Sequence, residues 1–174
     1  VFLGSMDWMP NIDGMKWFVK QVYPKIKKEA PEVSLDIVGR RPGPDIQRLA
    51  DGNDSIQIHA DVPDVRPFIA QSDLFVVPLR SGGGSRIKIY EAMAMNRPVV
   101  ATTIGAEGLP LNAGRDIAIG DSPEELTGEV IRLLQDSQLK QSISNAGYQL
   151  VTENYQWKNV AVRLRNCCEE LVQT

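Results

Sequence analysis

Short apolar segments alternate with longer amphipathic segments over the first two thirds of the chain. Within the longer segments, apolar residues recur every three or four positions, which is typical of helices that bury one face. The first such segment runs from about residue 12 to 28, with Pro10 and Asn11 as its start signal, and its apolar face is formed by Ile12, Met15, Val19, Val22 and Ile26. The apolar segments predict strands at residues 1–4, 34–38, 56–60, 73–77, 98–102 and 117–119. This alternation predicts a parallel sheet with helices on both faces, in three layers.

Further helices are expected at residues 45–49, 65–71 and 87–95. Beyond residue 120 the strand pattern stops and three helices are predicted, at 122–135, 139–151 and 157–172. The first of these begins with a capping box, in which Ser122 precedes Pro123 and Glu125 follows three positions later. We therefore expect one domain, with a strand–helix core over residues 1–120 and C-terminal helices over residues 122–174.

The segment from Pro78 to Thr102 carries the clearest chemistry. It follows a predicted strand, passes through three glycines at residues 82–84, enters a helix that carries Arg86, Lys88 and Glu91, and ends on the next strand. Glycines let backbone N–H groups approach a ligand, and a helix N-terminus favours anions. The segment thus predicts a site for an anionic ligand, and a nucleotide diphosphate fits it best.

Other loops are expected beside this segment. Four loops with glycine follow predicted strands, at residues 4–5, 39–43, 82–84 and 105–108. Parallel sheets bind ligands at the carboxyl ends of their strands, at the point where the strand order reverses. We therefore predict that these loops meet at one edge of the sheet and that the ligand binds there.

Two interpretations of Glu91 remain open. Its helix is apolar on most sides, which predicts that the helix is buried, and a buried carboxylate needs a partner. Lys88, three residues earlier, would form a simple ion pair within the helix. Alternatively, Glu91 accepts hydrogen bonds from a ribose while Arg86 and Lys88 contact phosphates, which requires Arg86 to lie in the loop before the helix.

Charge and composition narrow the class of ligand. The net charge of −3 over 174 residues excludes a broad basic surface for nucleic acid, so an anion site must be local. One histidine cannot build a metal cluster, and no apolar run is long enough to span a membrane. The first strand starts at Val1, which favours a chain that is half of something longer. The adjacent Cys167 and Cys168 favour reduced thiols in a cytosolic protein over a redox or metal role.

The segment from Gly83 to Thr102 resembles the donor-binding segment of the GT-B fold, retaining glycosyltransferases of family 4, the glycosyl transferases group 1. Further marks of that family lie along almost the whole chain, at residues 1–4, 36–39, 42, 72–78 and 157. The resemblance implies a Rossmann-like C-terminal domain that binds a nucleotide-diphosphate sugar, with Glu91 on the ribose. It also implies transfer with retained anomeric configuration, with no cofactor and no essential metal.

The resemblance also implies partners. An N-terminal domain with the acceptor site should precede Val1 in the full protein, and the acceptor should be a glycan or a lipid-linked sugar of a polysaccharide or glycolipid. The enzyme would be cytoplasmic, at the inner face of the membrane through the missing half. The domain alone is then expected to bind the donor without catalysing transfer.

The chain departs from the family pattern at two places. Many members have an acidic residue near the sugar where this chain has Gly83, so backbone amides of Gly83 and Gly84 are expected to serve instead. Many members also place Arg and Lys on the diphosphate where this chain has Ser5 and, approximately, Asp13, and we expect Arg86 and Lys88 to replace them. The expected donor-binding residues are Gly4, Ser5, Gly83, Gly84, Ser85, Arg86, Lys88 and Glu91, with Arg41, His59 and Gly105 as weaker candidates.

Several residues have two possible roles. Arg40 and Arg41 are either solvated loop charges or nucleotide contacts, and His59 is either structural or in contact with the base. Trp8 either packs in the core or contacts a ligand or a second domain. For the whole chain, the alternatives are a GT-B epimerase acting on a UDP-sugar and a nucleotide-binding module without catalytic activity.

Overall fold

The computed structural model describes residues 1–172, and it places six strands and eight helices close to the predicted positions. The strands are β1 (Phe2–Leu3), β2 (Leu35–Gly39), β3 (Ile56–Ala60), β4 (Phe75–Val77), β5 (Val99–Ala101) and β6 (Ala118–Ile119). The helices are α1 (Met9–Trp17), α2 (Tyr23–Glu29), α3 (Pro44–Gln47), α4 (Arg66–Gln71), α5 (Ile87–Ala94), α6 (Pro123–Gln135), α7 (Ser137–Asn154) and α8 (Trp157–Val172).

All strand pairs are parallel, and they form the ladders β1-β2-β3 and β4-β5-β6. The two ladders meet where the N–H of Val76 in β4 donates to the carbonyl of Val1 beside β1, at 2.9 Å. The resulting strand order is 3-2-1-4-5-6, so the direction of winding reverses between β1 and β4. In sheets of this order, the crevice at that reversal is where ligands bind.

Two apolar cores cover the two faces of the sheet, as the three-layer prediction requires. Neighbouring residues of one strand belong to different cores, since Phe2 and Ile37 pack under α1, α2 and α6, whereas Leu3 and Val38 pack on the side of α4 and α5. Side chains of a strand alternate between the faces, so a strand that is buried on both faces is apolar at every position.

The first long helix runs without a break from α1 through a π-helical turn, Phe18–Val22, into α2. Pro24 explains the turn, because it has no N–H to donate to the carbonyl of Lys20 and its ring would clash there. Pro10 lies in the first turn of α1, as predicted. Asn11 was expected to be part of the start signal and is instead a buried residue inside α1.

The C-terminal helices agree with the prediction. The Ser122 hydroxyl accepts a hydrogen bond from the N–H of Glu125 at 3.1 Å, and the Glu125 carboxylate accepts one from the N–H of Ser122 at 3.0 Å. Trp157 begins α8 and is 88% exposed. Over residues 1–172, no helix is both long enough and apolar enough to cross a membrane.

Candidate functional site

The loops with glycine meet at the carboxyl edge of the sheet, as predicted. A Cβ atom on Gly39 would lie 1.7 Å from the carbonyl oxygen of Gly4, so the loops after β1 and β2 are in direct contact. A Cβ atom on Gly82 would lie 2.6 Å from Pro10, so the loop after β4 packs against the start of α1. These close approaches place three loops around the reversal between β1 and β4.

The loop before α5 exposes backbone N–H groups. Gly83, Gly84 and Ser85 are exposed, and none of their N–H groups donates to an acceptor within residues 1–172. Gly84 has a φ of +124°, which favours glycine. Because these donors precede the N-terminus of α5, the loop has the geometry of an anion-binding turn.

Arg86 lies in the loop before α5, with a φ of +51°. This position is the one required if Arg86 and Lys88 are both to contact phosphates. Its guanidinium is buried and donates to three backbone carbonyls: Gly83 at 3.2 Å, Gly82 at 2.5 Å and Ile104 at 2.9 Å. The side chain therefore fastens the glycine loop to the loop after β5. A direct contact of Arg86 with phosphate remains a prediction, and its buried Nε–H lacks an acceptor among the described residues.

Lys88 lies in the first turn of α5 and points toward β1 and α1. Its Nζ donates to Oδ1 of Asn11 at 3.2 Å and lies 4.8 Å from the centroid of the Phe2 ring. Burial lowers the pKa of Lys88 from 10.5 to about 8, with a smaller contribution from the nearby charge of Arg86 and partial compensation by Glu91. The structure thus holds a partly buried cation at the reversal between β1 and β4.

Glu91 was expected to be buried and is exposed. The exposed face of α5 is formed by Ile87, Glu91 and Ala94, at spacings of four and three residues, so the carboxylate needs no partner to offset burial. Among residues 1–172, Lys88 forms no ion pair with a carboxylate, so the proposed Lys88–Glu91 pair is absent there. An exposed Glu91 is open to a ribose, and that role remains a prediction.

The loop after β1 is built around Gly4 and Ser5. The Ser5 carbonyl accepts a hydrogen bond from Nδ2 of Asn11 at 2.8 Å, and its hydroxyl donates to Asp7 at 2.7 Å. A Cβ atom on Gly4 would lie 2.7 Å from Asn11 Nδ2. Gly4 is therefore required for close packing, and its contact with a ligand remains a prediction.

An ion pair at the same edge was not predicted from the sequence. Asp13 forms two hydrogen bonds with Arg80, from Nε at 3.0 Å and from Nη2 at 2.6 Å, and the guanidinium lies 5.7 Å from the ring of Trp17. The resemblance led us to compare Asp13 with a lysine of many family members, whereas here Asp13 holds Arg80, which belongs to the segment from Pro78 to Thr102. Asp13 and Arg80 lie too far apart in the chain for local spacing to connect them.

The weaker candidates have structural partners. Arg41 pairs with Asp7 at 3.1 Å in the loop after β2. His59 Nε2 lies 2.7 Å from the carboxylate of Asp36 in the neighbouring strand, and its ring packs on Phe68. These contacts favour the structural interpretation of His59.

The structure also shows the surroundings of Gly105, Trp8 and Trp17. A Cβ atom on Gly105 would lie 2.3 Å from the carbonyl of Val77, and its N–H donates to the Thr102 hydroxyl at 2.9 Å, so that amide is already engaged. Trp17 is buried in the core. Trp8 does not pack in the core; it is 57% exposed in the loop after β1, at the site edge.

A cavity of 390 Å³ lies at the opposite, amino edge of the sheet. Its lining includes Val1, Asp36, Asp73 and Lys140, and none of the four loops with glycine contributes to it. It also differs in chemistry, because apolar side chains of α2 and α6 form much of its wall. The groups that the sequence predicts to bind an anion therefore lie at the carboxyl edge, away from this cavity. Among the residues whose side chains the structure describes, which leave out 163, 167 and 170–174, no group of three or more His, Cys, Asp or Glu side chains is arranged to bind a metal ion.

Comparisons with known proteins agree with this arrangement. Residues 1–136 match the family described as glycosyl transferases group 1. A 44.6 kDa protein of the cps region of Klebsiella pneumoniae is 26% identical over 168 residues, which are 92% of this chain and 43% of that protein. The chain thus spans less than half the length of this relative.

Two solved structures show the same fold. The C-terminal domain of a glycosyl transferase group 1 family protein, LpcC of Francisella tularensis, superposes with a TM-score of 0.75 at 19% identity, over 90% of this chain and 85% of that one. Anabaena HepE, solved in complex with UDP and glucose, gives a TM-score of 0.74 at 17% identity, over 99% of this chain and 48% of that one. The chain belongs to the glycosyl transferases group 1 family and has the Rossmann-like fold of the C-terminal domain of GT-B glycosyltransferases.

Proposed function

We propose that this chain is the donor-binding half of a retaining, family 4 glycosyltransferase that transfers a hexose from a nucleotide-diphosphate sugar to a glycan or a lipid-linked acceptor. The observation that carries the proposal is Lys88, a partly buried cation held at the reversal of the sheet without a carboxylate partner among the described residues. Burying a charge without a counter-charge is costly. A diphosphate would supply that counter-charge.

The surrounding groups fit the parts of such a donor. The free N–H groups of Gly83, Gly84 and Ser85 suit the phosphate oxygens, because they lie at the start of α5. Glu91, exposed on the next turn, suits a ribose diol. We assign Arg86 the role of holding the glycine loop in shape, through its three carbonyl contacts.

In the reaction, the bond between the sugar and the diphosphate breaks, and negative charge grows on the leaving phosphate oxygen. Donors already aimed at that oxygen stabilise the charge without having to reorganise. We propose that Lys88 and the loop amides do this without an essential metal. A second domain of the full protein would bring the acceptor hydroxyl, which fits a chain that spans 43% of its Klebsiella relative.

The epimerase alternative has less support. Such an enzyme would require acid–base groups near the sugar, and the chain has one histidine, His59. The imidazole of His59 forms a hydrogen bond with Asp36 on β2. His59 itself lies on β3, two strands away from the reversal between β1 and β4, so it is not placed beside a ligand bound there.

Calorimetric titration of the chain with UDP, GDP, ADP and TDP, and then with their sugar conjugates, tests the proposal. We expect one nucleotide diphosphate to bind with a 1:1 ratio and its sugar conjugate to bind as well. The proposal is wrong if none of the four diphosphates and none of the conjugates binds.

A further inference from the structure

Asn11 is an unusual residue for its position. It lies inside α1, although asparagine has a low helix propensity. Its side chain is only 6% exposed, so the buried amide needs hydrogen-bond partners. Both ends of the amide are used: Nδ2 donates to the Ser5 carbonyl at 2.8 Å, and Oδ1 accepts from Lys88 Nζ at 3.2 Å. One side chain thus joins the loop after β1 to the cation of α5.

The two partners fix the orientation of the amide. The Ser5 carbonyl can only accept a hydrogen bond, so the NH₂ group of Asn11 must face it. The Lys88 ammonium can only donate, so it must face Oδ1. The reverse orientation would put two donors together and two acceptors together.

The contact lies where a ligand at the reversal would bind. It links α5 with α1 across the carboxyl end of β1, beside the loop that Gly4 and Ser5 form. The charged groups that act on the ammonium are Arg86 and Glu91, both of its own segment, whereas β1 and α1 present the uncharged Phe2 and Asn11. Asn11 therefore fixes the position of Lys88 without neutralising it.

We infer that Asn11 is a positioning residue for nucleotide-diphosphate binding: its Oδ1 holds the Lys88 ammonium at the phosphate-binding edge before the ligand arrives. This inference rests on the proposed function and deepens it. A lysine that is already ordered loses less conformational freedom when it meets the ligand, which strengthens binding. An aspartate at position 11 would still offer an acceptor to the lysine, but it would lose the hydrogen bond to the Ser5 carbonyl and would cancel the charge that the diphosphate needs.

The absence of a side chain at position 4 supports the same inference. A Cβ atom on Gly4 would lie 2.7 Å from Nδ2 and 2.9 Å from Cγ of Asn11. Any larger residue there would push the amide away from Ser5 and Lys88. The small size of Gly4 thus preserves the position of Asn11.

A double-mutant cycle tests whether Asn11 acts through Lys88, with UDP as the probe and calorimetry as the readout. Asn11→Leu should weaken UDP binding about 5- to 10-fold in the native background and less than about twofold in a Lys88→Met background. Asn145→Leu, on the exposed side of α7, is the matched control and should leave affinity unchanged. An equal loss in both backgrounds would mean that Asn11 only supports the loop, and would overturn the inference.

The pKa of Lys88, followed by NMR through its ¹³Cε signal, gives a second readout that needs no ligand. Losing an acceptor should lower this pKa by about one unit in Asn11→Leu, and Asn11→Asp should raise it above the native value. If Asn11→Leu does not fold, Asn11→Asp decides alone, because it keeps an acceptor for Lys88. A pKa of Lys88 that stays at its native value in every folded variant overturns the inference. Absence of nucleotide binding by the native chain would refute the proposed function instead, and this NMR measurement would still show whether Asn11 holds Lys88.

Discussion

Replacing Lys88 by methionine is expected to stabilise the ligand-free chain and to weaken its binding of a nucleotide diphosphate. Methionine keeps much of the apolar length of lysine and removes the charge that burial disfavours. A pKa lowered from 10.5 to about 8 corresponds to about 3 kcal/mol of destabilisation of the charged form. The site would then be a case in which a functional charge lowers the stability of the fold.

The lost contact with Asn11 reduces this gain in stability. The variant loses the hydrogen bond to Asn11 and leaves a buried Oδ1 without a donor, which costs about 1–2 kcal/mol. The net gain is therefore about 1 kcal/mol, or about 2–4 °C in Tm for a chain of this size. In the complex, the lost contact with phosphate is worth about 1.5–3 kcal/mol, so the Kd should rise about 10- to 100-fold.

The pH dependence has a definite sign. The pKa of Lys88 is lower in the folded chain than in the unfolded chain, so between about pH 8 and pH 10.5 the unfolded chain holds a proton that the folded chain has lost. The contribution of Lys88 to stability therefore rises with pH across this window, by at most about 1.4 kcal/mol per pH unit, and it is least favourable below pH 8. Lys88→Met should lack this rise.

Urea denaturation at several pH values between 7 and 10, together with UDP titration at pH 7, measures these effects. Lys20→Met, an exposed lysine of the π-helical turn, is the matched control and should change neither quantity. The reasoning is refuted if Lys88→Met is less stable than the native chain at pH 7, or if it binds UDP within twofold of the native chain.

Three other substitutions test the loops around the site and the start of α6. Arg86→Ala should lower stability by about 2–4 kcal/mol and weaken UDP binding, because three carbonyls of two loops lose their donor. Unchanged thermal unfolding would contradict the role of Arg86 in joining these loops. Gly39→Ala should prevent folding or cost more than about 3 kcal/mol, since its Cβ atom would overlap the Gly4 carbonyl, whereas Gly43→Ala, with no atom within 4 Å, should unfold like the native chain. Ser122→Ala should cost about 1 kcal/mol in urea denaturation through loss of the capping box, and a cost near zero would contradict that assignment.

Features with local signals could be predicted from the sequence. The capping box depends on Ser122 and Glu125, three positions apart, and the strands depend on short apolar runs. The meeting of the loops followed from a general property of parallel sheets, because the carboxyl ends of their strands share one edge. Asn96 follows α5 with a φ of +54°, and asparagine is a residue type that adopts this left-handed conformation at the end of a helix.

Side-chain partners across the site could not be predicted in this way. Lys88 and Asn11 are 77 positions apart, and Arg80 and Asp13 are 67 positions apart, so only the folded chain brings them together. Asn11, beside Pro10, has the residue type of a helix start, and nothing local distinguishes a capping asparagine from a buried one. The exposure of Glu91 was missed because Ile87, on the same face, is apolar and yet 59% exposed.

The central claim is that the nucleotide binds at the carboxyl edge of the sheet, at the reversal between β1 and β4. Titration of the ¹⁵N-labelled chain with the diphosphate that binds most tightly, followed by NMR, maps the site directly. We expect the largest amide shifts at Ser5, at residues 83–85 and at Lys88, with little change at the cavity of the amino edge. Shifts concentrated at Asp73 and Lys140, with the glycine-rich loop unchanged, would contradict the claim.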